Sequence, residues 1–248
     1  MDSTQVEALE RATLHAVSPD AFTEIPGWLL PFDTGTVGRA KSAVPLSHQP
    51  PAPSVLQDME AAYARRNLPV MLRIPVSAAF EPFRTMLAAR GYREEIVTEV
   101  QTAAASLVRA VSDGEPTELH AAPSQDWASV FLGEGFDPVD GASRVKKLAR
   151  AAGSLFAIVR DGGRPVAAGA AAFSHGWAIV HGMRTAQSHR GRGLAARVLA
   201  TLAHAAIARG YEQVFLQVAA QNTTAKALYR RAGFAPAWTY SYWKKHAA

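Results

Sequence analysis

A chain of 248 residues with a formal net charge of +5 and no cysteine has room for two domains of ordinary size, and it excludes disulfides, thiolate metal ligands and a cysteine nucleophile. No apolar run reaches the roughly 18 residues that a membrane-spanning helix needs, and the start, Met1-Asp2-Ser3-Thr4-Gln5, is acidic and polar. These features predict a soluble cytoplasmic protein with no metal and no membrane partner.

Residues 3–17 carry Val6, Leu9 and Leu14 at helical spacing and stop at Ser18-Pro19, so a helix is expected there. Gly27-Trp28-Leu29-Leu30-Pro31 and residues 37–44 read as two strands around the turn signal Asp33-Thr34-Gly35. A proline-rich loop over 45–53 leads to a helix (55–66), a strand (70–74), a helix (79–90), Gly91-Tyr92 and a strand (95–102). Residues 103–117 read as a connection. Beyond it come a short strand near Leu119, helices over 124–133 and 141–152, and strands over 155–160 and 165–173 joined by the hairpin turn Asp161-Gly162-Gly163. A strand over 177–183, a helix from Leu194 to the stop at Gly210, a strand over 214–218, a short helix and a strand over 237–244 complete the chain. On that last strand Trp238, Tyr240 and Tyr242 share one face, which is expected to pack on a helix.

The order strand, loop, helix, strand, helix, Gly-aromatic occurs twice, with Gly91-Tyr92 and Gly233-Phe234 lying 142 residues apart. This predicts an internal duplication, divided into residues 1–110 and 111–248. The halves differ in charge: the first has 10 Lys/Arg against 12 Asp/Glu, the second 16 against 9. A basic second half suits an anionic ligand. Nucleic acid is not expected, because the basic residues form no long run and no helix-turn-helix, zinc or RNA-sheet signature is present.

Within the second half, Arg184-Thr185-Ala186-Gln187-Ser188-His189-Arg190-Gly191-Arg192-Gly193-Leu194-Ala195 is a glycine-punctuated basic turn that opens a helix. Glycines let the backbone approach a ligand, and the first N–H groups of a helix lack intrahelical partners and carry the positive end of its dipole. The turn is therefore built for an anion. Gly191-x-Gly193-x-x-Ala196 also fits a dinucleotide fingerprint, but six or seven residues separate these glycines from the preceding strand, and the next strand ends in Gln217-Val218 without the required acidic residue. The first copy has Ser47-His48-Gln49-Pro50-Pro51-Ala52-Pro53 instead, a poor cradle because proline has no N–H.

One strand later comes Asn222-Thr223-Thr224-Ala225-Lys226-Ala227-Leu228-Tyr229-Arg230-Arg231-Ala232-Gly233-Phe234. Asn222 is a good N-cap, Gly233 suits the left-handed residue past a helix, and Asn222, Ala225 and Tyr229 fall on one face.

Arg190-x-x-Gly193-x-Ala195 resembles the pyrophosphate loop of the GNAT (Gcn5-related N-acetyltransferase) family. Asn222-x-x-Ala225-x-x-Leu228-Tyr229-x-x-x-Gly233-Phe234, after Leu216-Gln217-Val218, is similar to its second coenzyme A motif. Residues 1–110 resemble the degenerate first half of tandem GNAT proteins, on their architecture and on Gly27-Trp28-Leu29-Leu30 and residues 38–45. The resemblance implies an α/β fold of two GNAT-like domains, each a mixed, mostly antiparallel sheet flanked by helices. The implied activity is acetyl transfer from acetyl-CoA to a primary amine by direct attack in a ternary complex; the alternative is a non-catalytic acyl-CoA-binding sensor or scaffold.

On that resemblance, Arg190, Gly191, Arg192, Gly193, Leu194 and Ala195 would hold the diphosphate. Met183 and Thr185 would pair with the pantetheine along the main chain, and Asn222 would touch the same arm. Tyr229 would serve as general acid, its phenol remaining protonated at neutral pH. Three candidates stay open for the general base: His181, expected to share a strand face with Ile179 and Met183 and to titrate in a useful range, Glu134 in Gly133-Glu134-Gly135-Phe136, and a water chain. The acceptor is a small-molecule or protein amine. Neither its identity nor the choice between monomer and homodimer can be read.

Overall fold

The computed structural model describes residues 1–133 and 135–245. Its elements in the first half are α1 (Ser3–Val17), β1 (Ala21–Ile25), β2 (Trp28–Phe32), β3 (Val44–Pro45), α2 (Val55–Ala64), β4 (Met71–Pro75), α3 (Glu81–Ala89), β5 (Tyr92–Ala104) and α4 (Ala105–Arg109). The second half adds β6 (Glu118–His120), α5 (Gln125–Phe131), α6 (Pro138–Leu148), β7 (Leu155–Asp161), β8 (Arg164–Ser174), β9 (Trp177–Thr185), α7 (Leu194–Ala208), β10 (Gln213–Ala219), α8 (Thr223–Arg231) and β11 (Ala235–Lys245). Among the described residues no helix is long and apolar enough to cross a membrane.

Eight strands form one mixed sheet in the order β4-β11-β5-β10-β9-β8-β7-β6, and β1-β2-β3 form a smaller antiparallel one. Within the large sheet β9 and β10 are parallel, and the other neighbours run antiparallel. Helices cover both faces, so the α/β class is as expected. Val198, Leu199 and Leu202 of α7 pack with Val108 of α4 against Ala167, Val180 and Leu216. Leu9, Ala12 and Ala16 of α1 cover the opposite face over Ile179, Phe215 and Tyr240, beside Trp127 and Phe131 of α5. Tyr240 thus packs on a helix, as its strand face suggested.

Local chemistry explains the elements that frame this core. Asp2 caps α1 by accepting the Gln5 N–H at 2.8 Å, and the Gln5 side chain returns the bond, a reciprocal capping box. In β8 the run Val166-Ala167-Ala168-Gly169-Ala170-Ala171-Ala172 is buried throughout. Its small side chains let α7 approach from one side and α5 and α1 from the other. A residue larger than alanine would hold those layers apart.

The large sheet draws strands from both halves. Last strands are exchanged: β5 pairs with β10, while β11 pairs with β4, and β5 and β11 lie antiparallel from Ala235↔Thr102 to Lys245↔Tyr92. Trp243 of β11 accordingly sits in a core made otherwise of Trp28, Leu56, Tyr63, Leu72 and other residues of the first half. A lone parallel bridge, Ala43↔Leu72, matches in the first half the parallel start of β9 and β10 in the second.

Several expectations need correcting. Residues 37–44 are not a strand: Gly38–Ala40 form a 3-10 turn, closed by Ser42 Oγ donating to the Gly38 carbonyl at 2.8 Å, and only Val44–Pro45 pair. β1 was missed because a half-exposed edge strand lacks apolar alternation. The 103–117 connection begins inside β5 and includes α4, whose apolar residues are too few to set a period. α6 begins at Pro138, not residue 141, because the Asp137 carboxylate caps Val139 and Asp140.

Gly141 fixes how α5 and α6 meet. A Cβ there would lie 2.4 Å from the Phe131 carbonyl oxygen, which cannot move without its backbone. Alanine normally gains about 0.5–1 kcal/mol over glycine inside a helix, but overpacking costs about 1–3 kcal/mol. Gly141→Ala is therefore expected to lower stability in a urea titration; an unchanged or higher midpoint would mean the helices are free to part.

Candidate functional site

β9 and β10 keep register only through Val214↔Ala178 and Phe215↔Ile179. Beyond Ile179 the two strands separate, because β9 follows β8 to Thr185 while β10 follows β5 to Ala219. The wedge between them opens into a cleft of about 1190 Å³. A bulge sharpens the divergence. Ala170 faces His181 and Ala168 faces Arg184, so one residue of β8, Gly169, opposes two of β9, Gly182 and Met183. Gly182 takes φ +63°, a conformation that favours glycine.

The bulge reverses the side-chain alternation. Met183 packs on the α7 side, where a Cβ on Gly169 would lie 2.6 Å from its sulfur and equally close to Val198. His181 lies on the other side, with Ile179. The expectation that His181 and Met183 share a face is therefore wrong, for a period of two does not survive an inserted residue.

At the mouth of the cleft the chain makes a 3-10 turn (Gln187–His189) and enters α7 through Gly191 and Gly193, at φ +76° and +75°. A Cβ at either glycine would meet nothing within 4 Å. They are needed for the conformation, and the space in front of them is open. Among the described residues, the N–H groups from Gly191 to Ala195 have no acceptor. Five donors at the positive end of a 15-residue helix form an anion cradle. Arg190 lines the cleft with them. Arg192 is turned away, its Nη1 lying 2.7 Å from Asp161, which His189 also approaches at 3.3 Å.

α8 forms the facing wall. The Asn222 side chain accepts the Ala225 N–H at 3.1 Å, and Asn222, Ala225 and Tyr229 all line the cleft. Tyr229 is 8% exposed, its ring edge-on to Phe234 with centroids 5.8 Å apart, and burial pushes its phenol up to about 12. Met183, Thr185, Leu194 and Ala195 complete the set of expected cofactor residues that line the cleft.

Deeper in, His181 is 6% exposed and neither ring nitrogen has a partner among the described residues. Burial, reinforced by the charge of Arg39, pushes it down to about 3. Contrary to expectation it does not titrate near neutrality, because charging it there means desolvating a cation beside another. Glu134 lies outside the described residues.

Sequence reasoning assigned no role to Arg39, Phe131, Phe136, Arg144 or Gln217, which also line the cleft. Gln217 is held from both ends, donating to Thr13 Oγ1 at 2.9 Å and accepting from the Tyr240 hydroxyl at 2.8 Å. Arg184 lies over Phe136 at 4.3 Å and shares Asp140 with Arg144, at 3.3 and 2.7 Å. Arg39 projects from the first-half turn at Gly38–Ala40. No local pattern announces that the charge of residue 39 reaches residue 181.

A family model described as probable histone acetyltransferase Rv0428c C-terminal matches residues 3–243. The chain belongs to this acetyltransferase family, within GNAT. Among GNAT relatives, the uncharacterized N-acetyltransferase YobR of Bacillus subtilis strain 168 is 24% identical over 220 residues, covering 87% of this chain and 88% of YobR. A GCN5-related N-acetyltransferase from Kribbella flavida superposes with a TM-score of 0.71 at 19% identity, over 98% of this chain and 96% of that one. A tandem GNAT protein from the clavulanic acid biosynthesis pathway covers all of this chain, and 98% of its own length, with a TM-score of 0.60 at 13% identity.

Proposed function

We propose that this GNAT chain transfers the acetyl group of acetyl-CoA to a primary amine, with both substrates held together in the cleft. The observation that carries the reading is the run of five unpartnered N–H groups, Gly191 to Ala195, at the mouth of a cleft whose far wall holds Tyr229. A diphosphate fits this cradle, for its five N–H groups lack acceptors, the space beside Gly191 and Gly193 is open, and no carboxylate of the described lining residues opposes an anion. Acetyl-CoA supplies the acyl group already activated as a thioester.

The chain's own part is positioning and proton control. Backbone along Met183 to Thr185, released from β10, offers the pantetheine arm an edge to pair with. Asn222 holds the first turn of α8, which fixes the direction of Tyr229. The phenol keeps its proton at neutral pH and donates a hydrogen bond from Oη to the departing sulfur. His181, held neutral there by burial, offers hydrogen bonds to the acceptor, and water leading out of the cleft takes the amine's proton. In the same reading residues 1–110 and 111–248 are tandem copies, of which only the second keeps the glycine turn.

The test is calorimetric titration with acetyl-CoA, followed by thiol release over a panel of primary amines. Absence of binding overturns the reading, and binding without turnover on any amine favours a sensor. The two arginines should separate. Arg190→Ala is expected to raise the Kd for acetyl-CoA on the order of 5–10-fold, and Arg192→Ala less than about 3-fold, because its charge is already spent on exposed Asp161. Equal losses would mean that Arg192 leaves Asp161 for the ligand.

A further inference from the structure

The inner end of the cleft, beyond Met183, is cationic without a matching anion. Arg39 comes from the 3-10 turn at Gly38–Ala40, which is held rigidly: Ala40 is fully buried, Lys41 Nζ donates to the Gly35 carbonyl at 2.8 Å, and a Cβ on Gly38 would lie 3.1 Å from the Tyr242 ring. Its guanidinium makes no ion pair or hydrogen bond among the described residues, and its Nε is buried. It acts electrostatically on His181, whose two ring nitrogens are likewise buried and unpartnered in the same cleft. Glu10 also feels the charge of Arg39, but its carboxylate is engaged by Arg73 at 2.9 Å.

Two further arginines that line the cleft repeat the imbalance. Arg184 and Arg144 share the single carboxylate of Asp140, which also accepts from Thr36 Oγ1 at 2.8 Å. Among the described residues lining the cleft there is no Asp or Glu. Leaving the buried ring nitrogens of His181 and the buried Nε of Arg39 without partners is costly. An arginine fork matches a carboxylate geometrically, with two parallel N–H···O bonds. A strongly basic acceptor would meet three guanidinium groups here.

Resting on the transferase reading above, we infer that the acceptor is a small amine that also carries a carboxylate, an amino-acid-like molecule whose acid group is gripped by Arg39 and His181 while its amine points toward Met183 and Tyr229. Arg144 and Arg184 add a field that favours the same charge. The carboxylate satisfies the unpartnered groups, and the wall selects against polyamines and lysine-rich peptides.

Matched acceptors that differ only in the carboxylate test this: glycine against methylamine, lysine against cadaverine, and a lysine-rich peptide as the basic extreme, each followed by thiol release at saturating acetyl-CoA. The expected result is a kcat/KM at least about 10-fold higher for the carboxylated partner, a difference of about 1.4 kcal/mol. Arg39→Gln should abolish that preference through KM with little change in kcat, and Arg39→Lys should restore part of it. Acetyl-CoA titrated into the same variants checks that the cleft is intact.

A second arm needs no turnover: N-acetylglycine and N-methylacetamide titrated in the presence of CoA. Tighter binding of the acid, lost in Arg39→Gln, supports the inference even if the transferase reading fails for want of turnover on any amine. Amines lacking the carboxylate that react as well as their partners, or a preference that survives Arg39→Gln, overturn it while leaving acetyl transfer standing.

Discussion

Tyr229→Phe is expected to lower kcat about 100-fold, at the lower end of the range for a general acid, with the Kd for acetyl-CoA nearly unchanged. The physical reason lies in the burial of the phenol. At about 12, its proton is held more tightly than that of a departing thiol, whose ordinary value is about 8.5. Complete transfer to the thiolate would be uphill by about 5 kcal/mol. The useful contribution is thus a hydrogen bond to sulfur as negative charge develops, which the phenylalanine ring cannot make.

Two readouts separate this role from packing. The edge contact with Phe234 survives the substitution, so the unfolding midpoint should hold. The folded-state value raised by burial also means that no alkaline fall in rate below about pH 10 arises from this group. An alkaline limb near neutrality that disappears in Tyr229→Phe would contradict the assignment, as would full turnover by the variant when chemistry limits the rate.

Glu10→Leu is expected to produce the largest loss of stability, on the order of 3–5 kcal/mol in urea unfolding. Glu10 of α1 and Arg73 of β4 are 2% and 1% exposed, and their charged ends approach to 2.9 Å. Removing the acid strands a guanidinium in the interior, where Tyr240, its ring face 5.5 Å away, and Tyr242 do not replace the lost carboxylate. An apolar pair of similar volume carries no such penalty, so Glu10→Leu combined with Arg73→Met should recover most of the loss. A double variant no more stable than Glu10→Leu would show that packing, not the uncompensated charge, sets the cost.

The same pair illustrates why legibility stops where it does. Glu10 sits in a helix whose extent, 3–17, follows from its apolar spacing and its stop at Ser18-Pro19. Its partner lies 63 positions away on a strand equally easy to place as a strand. Neither local pattern encodes their meeting. The cleft divides in the same way. Gly191, Gly193, Asn222, Ala225, Tyr229 and Gly233 were readable because a left-handed turn, an N-cap and a helix face each require particular residue types at short fixed spacings. The bulge at Gly182 was not, since it depends on two of its residues facing one of β8.

What the chain determines by itself, then, is everything carried by neighbours within about ten residues: the helices and most strands, the anion turn and the capped helix bearing Tyr229. Tertiary structure alone decided that the halves exchange their last strands, that burial rather than titration governs His181, and that Arg39 of the first half projects into the cleft of the second. Backbone propensity and capping act over a few residues. Burial, charge and strand register at a site depend on which distant segments surround it, and those are set only when the whole sheet has closed.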